Sequence, residues 1–152
     1  MEGYKTILVP LDGSEVSEAI LPEIEKLATA FKASIFLLRV VYIDPIVYGV
    51  PHEAPMPFGD PQKLQAAALR EAEEYLSSIE ERLKAKGLTV KSHVVYGHDA
   101  EEILDLSSQK DIDLIAMSTH GRSGVKRWLL GSVAEKVLRH ATKPILLVRS
   151  TE

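Results

Sequence analysis

Short apolar runs alternate along this chain with longer stretches in which apolar residues return every three or four positions. Ile7-Leu8-Val9, Ile35-Phe36-Leu37-Leu38, Val94-Val95, Leu114-Ile115-Ala116-Met117 and Ile145-Leu146-Leu147-Val148 are almost continuously apolar, which is the pattern of strands covered on both faces. Between them, Val16, Ile20, Ile24, Leu27 and Phe31 fall at helical spacing, as do Leu64, Ala68, Ala72, Leu76, Ile79 and Leu83. Shorter stripes follow in Ala100, Ile103 and Ser107 and in Val133, Val137 and Ala141. Alternation of strand and helix implies right-handed crossovers. The pattern therefore predicts an α/β protein with an open, parallel, doubly wound sheet of five strands and helices on both faces.

Helix punctuation supports the same division. Asp12 with Glu15, Asp99 with Glu102 and Ser132 with Glu135 each have capping-box spacing at a strand-to-helix junction. Gly87 is placed to end the second helix. Pro22 conflicts with a first helix running from Val16, because an interior proline removes a hydrogen bond and clashes one turn back; a kink or a late start is expected. From Asp44 to Pro61 the chain carries Pro45, Pro51, Pro55, Pro57 and Pro61 with Gly49 and Gly59. That excludes a regular helix or central strand and predicts a long loop able to act as a flap.

The 152 residues, 45% of them hydrophobic, suit a single domain covering positions 1–152 with a sizeable core. A formal charge of −4, with lysines and arginines scattered, supplies no field to attract nucleic acid. Without cysteine there is no disulfide framework, thiol nucleophile or thiolate metal site. The opening residues show no leader pattern and no apolar run reaches bilayer length, so no membrane partner and a cytoplasmic location are expected.

Several chemistries lack their residues. No run has the spacing of a Walker A loop. After Val9 the chain reads Pro10-Leu11-Asp12-Gly13-Ser14, one glycine where a dinucleotide fingerprint needs three. Gly121-Arg122-Ser123-Gly124 lacks the residue that a nucleophile elbow places between serine and the second glycine. His52, His93, His98, His120 and His140 form no metal-binding helical pair with a carboxylate between them, and no metal ligand is assigned.

What remains is Ser118-Thr119-His120-Gly121, then nine residues, then Gly131-Ser132-Val133, joining an apolar strand to an amphipathic helix. Small residues let backbone approach a ligand, and a helix start offers N–H groups to an anion. In an open parallel sheet, ligands bind beyond the carboxyl ends of the strands where the winding reverses. Asp12 at the end of the first strand can accept from ribose hydroxyls, and the second strand's end near Val40 can wall an adenine. A structural reading stands beside each of these. Capping alone explains Ser132 with Glu135 and Asp12, and residues such as Val40 and Met117 are more often simple core.

These residues resemble those of the universal stress proteins that carry an adenine-nucleotide site. The resemblance covers the whole length and rests on Ile7 to Ser14, on Gly97 with Ala100 and Ile103, and on Met117 to Val148. The family's nucleotide motif is Gly, two residues, Gly, nine residues, Gly, then Ser or Thr. It falls here on Ser118, Gly121, Gly131 and Ser132, with serine in place of the first glycine. The resemblance implies a Rossmann-like fold and an ATP, ADP or AMP ligand, with Mg²⁺ entering through the phosphates. By the same resemblance Asp12 contacts ribose or adenine with help from Pro10 and Leu11, Val40 and Met117 flank the base, and Gly121, Arg122, Gly131, Ser132 and Val133 hold the phosphates. It also implies a homodimer in which the C-terminal strands pair antiparallel across a two-fold axis. With no evident catalytic base, the expected function is regulatory binding in a stress response. A slow ATPase and a structural dimer without nucleotide are the alternatives.

Overall fold

A computed structural model of the protein describes residues 2–42, 61–109, 111–120 and 130–150. The strands are β1 (Thr6–Pro10), β2 (Ser34–Val41), β3 (Val90–Tyr96), β4 (Leu114–Ser118) and β5 (Ile145–Val148). The helices are α1 (Leu21–Phe31), α2 (Pro61–Ala85), α3 (Asp99–Gln109) and α4 (Ser132–His140). All strand pairs are parallel and the order is β3-β2-β1-β4-β5. The winding thus moves one way from β1 through β2 to β3 and reverses at β4, which lies on the other side of β1.

Alternate residues of each strand feed two separate cores. Ile7 and Val9 of β1 pack with Ile24 of α1 and Leu76 of α2, whereas Leu8 between them packs with Ile103 of α3 and Val137 of α4. The middle of each central strand is therefore apolar on both faces, which is why Ile7–Val9 of β1 and Leu114–Met117 of β4 read as unbroken runs. The edge strand β3 is covered less fully, and its sequence Val-Lys-Ser-His-Val-Val-Tyr shows why only Val94-Val95 stands out as a run.

Helix boundaries refine the sequence expectations. A 3-10 turn over Ser17–Ile20 precedes α1, and Pro22 lies in the helix's first turn, where the missing N–H costs nothing. The late start is realised, and Val16 at 37% and Phe31 at 44% exposure are the loose ends of the predicted stripe. Pro61 opens α2 rather than closing the preceding loop. At the other end of α2, Gly87 has φ of 86°. Its N–H donates to Lys84 O at 2.9 Å and that of Leu88 to Leu83 O at 3.3 Å, the paired bonds of a Schellman stop. The predicted flap over positions 44–60 lies outside the described residues. Among the described residues no helix is long and apolar enough to cross a membrane.

The capping boxes take a different form from the one expected. Asp12 Oδ1 accepts from the N–H and hydroxyl of Ser14, while the Asp12 N–H donates to Ser17 Oγ at 3.3 Å, so Glu15 has no part in a box there. Asp99 is the first residue of α3, not the position before it. In α4 the cap is Gly131, with φ −61° and ψ 155° and no side-chain hydrogen bond. Ser132 is the first helical residue, and Glu135 reaches Arg139 at 2.7 Å instead. The spacing is right in all three, but Asp12 and Glu135 bond other close neighbours in sequence, and α3 and α4 begin one residue earlier than a box at Asp99 or Ser132 requires.

Candidate functional site

Beyond the carboxyl ends of β1 and β4, where the winding reverses, the structure opens a crevice of about 550 Å³. The loop after β1 forms its floor. Leu11 N–H donates to Leu38 O at 2.8 Å, which ties the loop to β2. Ser14 donates from both its N–H and its hydroxyl to Asp12 Oδ1, and the Ser14 hydroxyl accepts from Ser17 N–H at 3.1 Å. This small network orients the half-buried Asp12 carboxylate at the crevice. Gly13 takes φ of 88°, the left-handed region that glycine enters at no steric cost.

β4 and α4 supply the other side. Met117 and Ser118 end β4 at 7% and 5% exposure, and Ser118 lies within the strand itself. Among the described non-glycine residues only Lys32 has positive φ. The site therefore makes no demand on Ser118 that serine cannot meet. Its hydroxyl donates to His120 O at 2.8 Å, and Thr119 Oγ1 lies 3.1 Å from His120 Nδ1. Gly131 N–H then donates to Thr119 O at 2.8 Å, folding the start of α4 against the end of β4. A Cβ on Gly131 would stand 3.1 Å from that same oxygen, a tight contact that glycine avoids where the two backbones approach. No hydrogen bond joins the exposed Ser132 hydroxyl to any described residue. With the N–H groups of the first turn, which have no intrahelical acceptor, it leaves a cluster of donors at the crevice.

Every sequence-predicted site residue that is described lines this one crevice: Pro10, Leu11, Asp12, Val40, Met117, Ser118, Gly131, Ser132 and Val133. Gly121 and Arg122 lie outside the described residues. The walls also include residues whose sequence context does not place them at the site, among them Arg39 and Tyr42 of β2's end, Glu71 of α2 and Asp99 and Ile103 of α3. Arg39 carried a visible signal, a charge inside the apolar run Ile35–Val41. Its guanidinium lies 5.7 Å from the Tyr75 ring centroid and against the loop, where a Cβ on Gly13 would come within 2.5 Å of Nη1. Burial, and then the negative charge of Glu18, push the Tyr75 hydroxyl above its ordinary titration range, so it stays protonated. Nothing in the sequence marks Glu71, which reaches the crevice only because α2 crosses above β2.

The family model described as the universal stress protein family matches residues 3–149. Universal stress protein MJ0531 of Methanocaldococcus jannaschii is 34% identical over 146 residues, covering 96% of this chain and 82% of that protein. Universal stress protein MJ0577 of the same organism is 30% identical over 154 residues, covering 96% and 95% of the two chains. Its solved structure superposes with a TM-score of 0.82 and covers 98% of each chain. The fold is also shared with a universal stress protein from Archaeoglobus fulgidus solved in complex with dAMP, with a TM-score of 0.64, 17% identity and coverage of 97% and 98%.

Proposed function

Because the chain belongs to the universal stress protein family, we propose that it is a regulatory protein that holds an adenine nucleotide, ATP or AMP, in the crevice between the ends of β1 and β4. One observation carries this reading. Residues from four separate stretches of sequence, each with the chemistry for a nucleotide, line a single crevice at the reversal point of the sheet. In this reading Asp12 accepts from the ribose hydroxyls, Val40 and Met117 flank the base, and the start of α4 receives the phosphates through Ser132 and the first-turn amides. A nucleotide complex of a protein with this fold supports the same class of ligand.

Mg²⁺ would arrive with the phosphates, since among the described residues no three His, Asp or Glu side chains lie together as a metal site. Its role there would be to neutralise phosphate charge. Holding, rather than splitting, fits a site in which the described residues beside α4 are donors and small residues. Location in the cytoplasm belongs to the same proposal.

The assembly proposed is a homodimer through β5. That strand lies at the edge of the sheet with its four residues half-buried, and its outer row of backbone groups can pair antiparallel with a second copy. Light scattering at micromolar concentration should return twice the chain mass; a monomer would refute the dimer. For the nucleotide, the purified protein is denatured and removed and the supernatant chromatographed, with equilibrium dialysis against ATP and AMP on stripped protein. Copurified adenine nucleotide and saturable binding are the expected results. A stripped, folded protein that binds neither would refute the function.

A further inference from the structure

The end of β2 carries an aromatic side chain that the binding scheme above leaves unused. Tyr42 is 51% exposed, lines the crevice beside Val40, Asp99 and Ile103, and packs its ring on that of His98 with centroids 4.8 Å apart and planes tilted by 36°. In extended chain, residues two apart share a face, so Tyr42 continues outward the face on which Val40 meets the α3 and α4 core. The two rings are fixed through their backbones. Gly97 N–H donates to Val41 O at 3.1 Å, joining the residues next to Tyr42 and His98. Gly97 has φ of 149°, and a Cβ there would come within 2.5 Å of Glu102 Oε1, so the turn that delivers His98 to Tyr42 is held by a glycine.

We propose that Tyr42 is the stacking wall for the nucleobase at the mouth of the crevice, and that His98 is the positioning residue that holds its ring. This rests on the adenine-nucleotide reading. With Val40 and Met117 deeper in the crevice, a base entering edge-first meets Tyr42 as the outer aromatic surface. Stacking on a tyrosine face uses the ring and not the hydroxyl, and every base has a π-face to offer. Tyr42 therefore contributes affinity that grows with the size of the base, favouring purines over pyrimidines, while the choice between purines is left to polar groups deeper in the crevice.

The test compares binding of AMP and of ribose 5-phosphate, which lacks the base, to stripped full-length protein carrying Tyr42→Ala, Tyr42→Phe or His98→Ala. Tyr42→Ala should weaken AMP roughly 5- to 100-fold, the range of a lost base–aromatic stack, and leave ribose 5-phosphate unchanged. Tyr42→Phe should bind AMP within about twofold of the parent, since the π-face that makes the stack is kept. His98→Ala should fall between Tyr42→Phe and Tyr42→Ala. Tyr42→Ala that binds AMP as the parent does overturns the proposal, as does an equal loss for both ligands, which would mean a distorted crevice. A parent protein that binds no AMP would instead overturn the nucleotide reading itself.

Discussion

The junction after β1 and the junction after β4 begin with the same sequence device, a small polar residue followed three positions later by glutamate, and the fold uses them in opposite ways. After β1, the side chains turn inward on their own loop. Asp12, Ser14 and Ser17 exchange hydrogen bonds among themselves, including Ser17 Oγ to Ser14 O at 2.9 Å, and the helix begins only after a 3-10 turn. Before α4 the cap is a glycine without a side chain, and Glu135 is drawn away to Arg139. The first junction satisfies itself and presents one oriented carboxylate. The second leaves its donors facing the crevice, and this is the end of the site suited to an anion.

The contrast breaks most completely at Gly131. Gly131→Val places a branched side chain against Thr119 O, already 3.1 Å from a bare Cβ, and α4 must shift away from β4. Loss of two oriented donors to phosphate at about 1.5 kcal/mol each weakens nucleotide binding roughly 100-fold. Dialysis reads that loss, while circular dichroism should remain near native. Ser14→Ala attacks the self-satisfied junction. It removes the hydroxyl that bonds both Asp12 and Ser17, and urea unfolding should show a loss of roughly 2 kcal/mol, about 1 for each bond.

Ser132→Ala sharpens the comparison. Its hydroxyl has no structural bond to lose among the described residues, so stability should stay within about 0.5 kcal/mol of the parent, whereas affinity for a phosphorylated ligand should fall roughly 10-fold. A stability loss near 1 kcal/mol with unchanged affinity would return Ser132 to a capping role. The smallest effect belongs to Glu135→Gln, which breaks an exposed pair with Arg139. Unfolding should register only about 0.3–0.5 kcal/mol, the value of such a pair one helical turn apart.

Much of the fold was legible because its signals are periodic and local. Unbroken apolar runs at Ile7–Val9 and Leu114–Met117 identified central strands, since a strand packed by helices on both faces is apolar through its middle. Pro22 announced a late helix start and Gly87 a helix stop, each through a backbone constraint that acts within its own turn. The crevice was legible in its chemistry at Asp12, Gly131 and Ser132. Glu71 was not legible because it reaches the crevice from α2, whose path is set by packing on the sheet, while the charge of Arg39 and the ring of Tyr42 at the end of β2 are visible in the sequence but periodicity does not say which face they take.

By itself, then, the sequence determined the alternation of strand and helix, the parallel sheet, and the small and polar residues at the ends of β1 and β4. These follow from side-chain period and backbone constraint, which act over a few residues. Only the tertiary structure decided how those residues are used. The bond from Gly131 N–H to Thr119 O at 2.8 Å sets the start of α4 against β4, with Gly131 as the cap and Ser132 as the first helical residue, and the bond from Gly97, just after β3, to Val41 O sets Tyr42 beside His98. Such outcomes depend on contacts between residues far apart in sequence, which side-chain period does not report.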